Sequence, residues 1–119
     1  RAPLEWFTRP SYQAAFTRSV SDLFQHDGAF RDLGIEAAAE ALHITERTLR
    51  RRLALEGVRF QSLKDGLRRD LAIHYLSQAG LPISEIAQRL GFSEPSAFTR
   101  AFRQWTGDSP RAYREAARA

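Results

Sequence analysis

The side chains best suited to recognition chemistry crowd into one short stretch: Arg47, Arg50, Arg51, Arg52 and Arg59 stand between positions 46 and 59, opposed only by Glu46 and Glu56. The chain as a whole carries 18 basic and 14 acidic residues, a net charge of +4, and every basic residue except Lys64 is arginine. A guanidinium presents its donors as a rigid fork that matches phosphate oxygens and the guanine edge, which an ammonium does less well. G- and C-rich coding would also raise arginine. The excess is local, since residues 1–34 hold four basic and four acidic side chains and are neutral overall. A basic cluster inside a helix reads either as a nucleic-acid face or as a solvated surface, and charge alone leaves both open.

Other chemistries lack their residues. Cysteine is absent, which removes disulfides, thiolate metal sites and cysteine nucleophiles. His26, His43 and His74 lie in separate segments with no metal-like spacing. No HExxH pair, phosphate-cradling glycine loop or nucleophile elbow occurs. The expectation is a non-enzyme with no catalytic residues, metal or cofactor. No apolar run approaches the roughly 20 residues of a membrane span, and no signal peptide is evident, so a soluble, cytoplasmic protein is expected. At 119 residues and 43% hydrophobic content, the chain suits one modest core. Methionine is absent even at position 1, which reads as a piece of a longer protein.

The elements that must position the arginines are all helical, because no strand-like alternation appears and glycine and proline cut the chain into short periodic segments. Residues 1–10 read as an upstream linker remnant. Tyr12, Phe16, Val20, Leu23 and Phe24 make one helical stripe from Ser11 to about His26. An alanine-rich helix follows from Ile35 to Leu42. Thr45 is placed to cap a third helix from Glu46 to about Glu56, with Gly57 ending it. A connecting helix runs from about Phe60 to Ala79, with Leu63, Leu67, Leu71 and Tyr75 in an i+4 row and Ile73 and Leu76 beside it. Ile83 to Leu90, Pro95 to Trp105, and a segment opening at Ser109-Pro110 complete seven helices.

Two of these stretches repeat each other. Ile35, Ala39, Leu42 and Ile44 match Ile83, Ala87, Leu90 and Phe92 at a shift of 48, and Leu49, Arg51 and Leu53 match Phe98, Arg100 and Phe102 at 49. The unit is helix, tight turn, helix, over about 35–57 and again over 83–105. Small residues at Ala39 and Ala87 permit a close helix crossing, which is helix-turn-helix geometry. In that geometry the second helix can enter the major groove. Gly91 suits a left-handed turn residue; His43 occupies the matching position, where a non-glycine is less favourable though histidine is tolerated. Leu49 and Leu53 must face the core, so Arg47, Arg50 and Arg51 point elsewhere. Phe98 and Phe102 likewise turn Ser96, Thr99 and Arg100 outward, with Pro95 at the tip. Trp105, Tyr113 and the phenylalanines recur at helical spacing and are assigned to the core.

The run IAQRLGFSEPSAFTRAFRQWTGDSPRAYR, residues 86–114, resembles the signature of the AraC/XylS transcriptional regulators, and TERTLRRRLALEG resembles that family's first helix-turn-helix. The matching positions include Ile86, Ala87, Gly91, Phe92, Phe98, Arg100, Phe102, Gly107, Pro110, Tyr113 and Arg114, with Arg68, Ala72 and Leu76 in the connecting helix. His43 stands where the family has glycine. The resemblance implies a DNA-binding domain over residues 11–119, built as two helix-turn-helix subdomains on a connecting helix, with double-stranded DNA as partner. It implies also an effector-binding or dimerisation domain outside this chain, and RNA polymerase as a partner of the full-length protein. Arg47, Arg50 and Arg51 fall on its base-contacting positions, with Arg50 and Arg51 the leading base readers; Arg47 and Thr48 suit phosphates equally well. Arg52 is a backbone contact or solvated. Pro95, Ser96 and Thr99 offer thinner base-reading chemistry; Arg100 is a base, phosphate or structural contact, and Arg103 a phosphate candidate. The rival reading is a helical protein-interaction module whose arginine-rich face binds an acidic partner.

Overall fold

The computed structural model describes residues 14–26, 28–78 and 80–118, and those residues form eight α-helices and one 3₁₀ turn with no strand. In chain order the helices are α1 (Ala15–Asp22, running into the 3₁₀ turn Leu23–Gln25), α2 (Ala29–Asp32), α3 (Ile35–Ala41), α4 (Glu46–Leu55), α5 (Phe60–Leu76), α6 (Ile83–Arg89), α7 (Pro95–Thr106) and α8 (Pro110–Arg118). Residues 1–10, read as a linker, and the expected helix start at Ser11 lie outside the described residues.

The all-α architecture agrees with the sequence reading, and three details differ. The single-turn helix α2 was not expected. It forms because Gly28, at φ 81°, turns the chain and its carbonyl accepts from the N–H groups of Arg31 (3.1 Å) and Asp32 (3.0 Å). The connecting helix α5 ends at Leu76 rather than near Ala79, with Ser77 as its cap and the Ser77 hydroxyl donating to the His74 carbonyl at 2.6 Å. Its 17 residues span about 26 Å at ~1.5 Å each, shorter than a 20-residue helix would be. Helix α4 stops at Leu55 because Glu56 leaves the helical register ahead of Gly57, which has φ 76°.

One continuous core runs through both repeats. Helix α5 is its axis: Leu63, Leu67, Ala72, Ile73 and Leu76 are buried, and the helix contacts α1, α6 and α8. The first subdomain contributes Val20, Phe24, Phe30, Ala38, Ala39, Leu49 and Leu53 to the core. The second is aromatic. Phe98 and Phe102 are fully buried, Phe102 meets the Tyr113 ring edge-on at 5.5 Å, and Phe92 and Trp105 complete the cluster at 6.2 Å from each other.

Two long-range polar ties close this framework. Arg114 of α8 donates through Nε to the carbonyl of Leu76 (3.0 Å) and through Nη2 to that of Leu81 (2.6 Å). It thereby satisfies a carbonyl at the open end of α5, where no further helical turn exists to do so. Glu56, just past α4, plays the opposite part for α1: its carboxylate accepts from the N–H groups of Phe16 (3.2 Å) and Thr17 (2.7 Å) and from the Thr17 hydroxyl (2.5 Å). Helix α1 has no side-chain cap of its own at Ala14, so its first turn is capped from 40 residues away.

Candidate nucleic-acid interface

Each recognition element is set by its turn. After α3, Ile44 donates to the Ala39 carbonyl and His43 to that of Glu40, both at 3.0 Å. After α6, Phe92 donates to Ala87 and Gly91 to Gln88, again at 3.0 Å. Both turns are therefore Schellman motifs, the arrangement in which a left-handed residue lets two N–H groups reach back to the last helical carbonyls. His43 takes that conformation at φ 59° and Gly91 at φ 84°. The turn expected of a glycine thus forms around histidine too.

Their surroundings differ. A Cβ built on Gly91 would lie 2.6 Å from the backbone nitrogen of Arg31 and the carbonyl carbon of Phe30, so the second turn sits directly on the backbone of α2. His43 is exposed.

Thr45 caps α4 as expected, its hydroxyl oxygen accepting from the Thr48 N–H at 3.1 Å. Thr48 is half-buried and its own hydroxyl lies 3.0 Å from that of Thr45, so part of its hydrogen-bonding capacity is spent at the cap. Leu49 and Leu53 are fully buried. The opposite face carries Arg47, Arg50, Arg51 and Ala54, at the i, i+3, i+4, i+7 spacing of one helical stripe, and all four are exposed. Arg50 has a loose ion pair with Glu46 at 3.7 Å, which holds the side chain along the helix without neutralising its reach. Arg47 and Arg51 make no hydrogen bond or ion pair among the described residues.

Arg52 is set apart from these. Its guanidinium lies 4.2 Å above the Phe16 ring and near the Glu56 carboxylate, on the α1 side of the helix. Burial works to raise the Glu56 carboxyl, but the Thr17 hydroxyl, the Thr17 and Phe16 N–H groups and the Arg52 charge together hold it below its ordinary range.

In α7, Pro95 occupies the first turn, where its missing N–H costs nothing, and Phe98 and Phe102 point into the core. Ser96, Arg100 and Arg103 are exposed on the far face and Thr99 is half-buried at its edge. At a shift of 49 the two faces align residue by residue: Arg47 with Ser96, Arg50 with Thr99, Arg51 with Arg100, and Ala54 with Arg103. Arg100 and Arg103 carry no ion pair among the described residues. The structure therefore offers two faces of the same construction and unequal chemistry, the first with three arginines and the second with two.

Two contributors were not singled out by the sequence reading. Glu56 was read only as one of two acids among the arginines, at the end of a helix, and Arg68 of α5 was noted for its place in a motif with no role attached. Arg68 is largely buried, and the rings it meets, Phe30 and Phe92, lie on separate elements that only the fold brings together. No helix of the described residues is long and apolar enough to cross a membrane.

A bipartite helix-turn-helix DNA-binding domain is the class of protein that this fold and these paired faces define, and the comparisons agree. Residues 38–116 match the family model described as a helix-turn-helix domain. The chain belongs to that family, in its AraC-type branch. It is 45% identical over 104 residues to the ornithine utilization regulator of Pseudomonas aeruginosa, covering 87% of this chain and 30% of that protein. Over 79 residues it is 51% identical to the HTH-type transcriptional regulator VirS of Mycobacterium tuberculosis, covering 66% of this chain and 23% of the relative. The chain thus spans under a third of these curated relatives. Among solved structures, the DNA-binding domain of AdpA in complex with a target DNA superposes with a TM-score of 0.72 at 30% identity, covering 87% of this chain and 92% of that one. The transcriptional regulator CdpR of Pseudomonas aeruginosa superposes at 0.73 with 33% identity, covering 95% of this chain and 38% of that one.

Proposed function

We propose that this chain, over residues 11–119, binds double-stranded DNA sequence-specifically as a monomer, with α4 in one major groove and α7 in the next along the same side of the duplex. The observation that carries the reading is the residue-by-residue equivalence of two outward faces, each on the second helix of a helix-turn-helix unit. The longest dimension of the molecule is 44 Å, which exceeds the roughly 34 Å between successive major grooves on one side of B-DNA. Arg50 and Arg51 read base edges. Arg47 and Thr48 hold the backbone, and Ser96, Thr99 and Arg100 provide a sparser second set, with Pro95 at the tip and Arg103 on a phosphate. Arg52 serves α4 chiefly through Phe16 and Glu56.

The role is binding, not catalysis. In the full-length protein a separate domain senses an effector and RNA polymerase is the further partner; such a regulator works in the bacterial cytoplasm, where the chromosome lies.

Footprinting of the 119-residue chain at a concentration where it is shown to be monomeric tests the reading. Two protected groove segments one turn apart in a non-palindromic site are expected. Protection of a single groove, a palindromic site that needs two chains, or no retention of DNA at low salt would overturn it.

A further inference from the structure

The two helix-turn-helix units share α5, but a shared axis does not by itself set the angle between the faces mounted at its ends. That angle depends on what bridges the units beside the axis. Phe30 belongs to the first unit: it stacks on Phe24 at 5.1 Å, and Phe24 in turn meets Phe60 at 6.0 Å. Phe92 belongs to the second: it packs against Phe98 of the recognition helix α7 at 5.6 Å. Between the two groups lies the guanidinium of Arg68, 4.4 Å from the Phe92 ring centre and 5.9 Å from that of Phe30. The rings and the cation form a continuous run from the start of α5 to the core of α7.

Arg68 is held there as a cation between rings more than as a hydrogen-bonding group. Its side chain is 14% exposed, its nearest carboxylate is Asp65 at a loose 3.9 Å, and its buried Nε has no hydrogen-bond partner. Removal from water strengthens a cation's attraction for aromatic faces. Planarity matters as well, because a flat guanidinium can address two rings where an ammonium addresses one. The Gly91 turn, pressed on the backbone of Phe30 and Arg31, brings Phe92 to the place where Arg68 can bridge it.

We infer that Arg68 is a positioning residue: through the Phe30–Arg68–Phe92 stack it fixes the placement of the second recognition helix relative to the first. This rests on the two-groove reading for its effect on DNA, though the geometry itself can be read without DNA. A fixed geometry means that once α4 is seated, α7 arrives at its groove already aimed, and the alignment costs little at binding.

Because the chain has no cysteine, spin labels can be placed uniquely at Ala54→Cys and Gln104→Cys, both exposed and one on each recognition helix. Pulsed dipolar spectroscopy of the parent is expected to give one narrow distance distribution. Arg68→Met keeps the stem and removes the guanidinium, and should broaden or shift that distribution while helix content is retained. Arg68→Lys keeps the charge and should behave like Arg68→Met. Phe30→Leu, which removes one ring and spares Arg68, serves as the second variant should Arg68→Met not fold.

In the DNA arm, the parent and Arg68→Met are compared on a joined two-segment site, on the same site lengthened by one base pair, and on the first segment alone. Arg68→Met should bind the single segment like the parent, lose about 10-fold on the joined site, and lose most of the penalty for the added base pair. An unchanged distance distribution in a folded Arg68→Met, or parent-like geometry in Arg68→Lys, would overturn the positioning role. Equal weakening on the single segment would mark Arg68 as a phosphate contact and overturn it too. Failure of the two-groove reading shows separately, in the parent alone, as equal affinity for the single and joined sites.

Discussion

Gly91 and Gly57 provide a matched pair in which backbone strain and steric contact separate. Both have left-handed dihedrals, φ 84° and 76°, and both close a Schellman turn. An alanine at Gly57 would meet nothing within 4 Å, so Gly57→Ala carries only the left-handed penalty. That penalty is roughly 1–2 kcal/mol, offset by ~0.4–1 kcal/mol of lost unfolded-state entropy, which leaves about 1 kcal/mol of destabilisation. At Gly91 the same strain is joined by a Cβ placed 2.6 Å from the Phe30 carbonyl carbon and the Arg31 nitrogen and 2.8 Å from the Phe30 oxygen. Those neighbours are backbone and cannot rotate aside. Overpacking of that kind adds ~1–3 kcal/mol, so Gly91→Ala should lose about 2–4 kcal/mol in all, a large share of a small domain's stability. Urea denaturation followed by far-UV circular dichroism measures both. If the two variants lose the same stability within error, the second turn does not press on α2 and the steric argument fails.

Truncating the centre of the aromatic cluster, Phe102→Ala, should cost roughly 3–5 kcal/mol and abolish DNA retention with the fold; a variant that melts like the parent yet fails to bind would show Phe102 to be a contact residue. The Glu56 carboxyl, held below its ordinary range in the folded state, contributes stability above that range and loses it as pH falls through it, so the parent should weaken on acidification more steeply than Glu56→Gln. Identical acid limbs in urea titrations would remove the cap from the account. Arg51→Ala should lose about 1–3 kcal/mol on a selected site and relax selectivity at one base pair, whereas an equal loss on all sequences in competition assays would make Arg51 a phosphate contact.

The repeat was legible in the sequence because its evidence is local. Leu49, Leu53, Phe98 and Phe102 sit at helical spacing, and a periodic apolar row determines which side of its helix remains for arginines. The Thr45 cap and the Gly91 turn are equally short-range and were read correctly. Helix α2 escaped notice because four residues show no period, and its formation depends on the Gly28 turn. Arg52, which directly follows Arg51 in the chain, is set apart from it by Phe16, which lies 36 positions earlier and becomes a neighbour only after folding. Arg68 and Glu56 were obscure for the same reason. A charged residue in a helix reads as solvated until tertiary contacts supply the rings or N–H groups that engage it.

Helix α5 is also a screw, and this bears on how such a domain can vary. Each residue added to a helix advances it by ~1.5 Å and turns it by about 100°. One residue inserted between Phe60 and Leu76 would therefore swing the second recognition face far from the first, while one inserted in a turn is absorbed locally. The one length difference between the two copies obeys this rule: it falls between Phe92 and Pro95, ahead of α7, and leaves every helix its register. Even a seven-residue insertion in α5, which nearly restores the angle, would push the faces ~10 Å apart and off the pitch of the duplex. The helix thus acts as a phase-locked ruler. On the proposed two-groove reading, descendants of this chain are free to change which bases they read by exchanging side chains at 50, 51, 96, 99 and 100, but not the interval at which they read them.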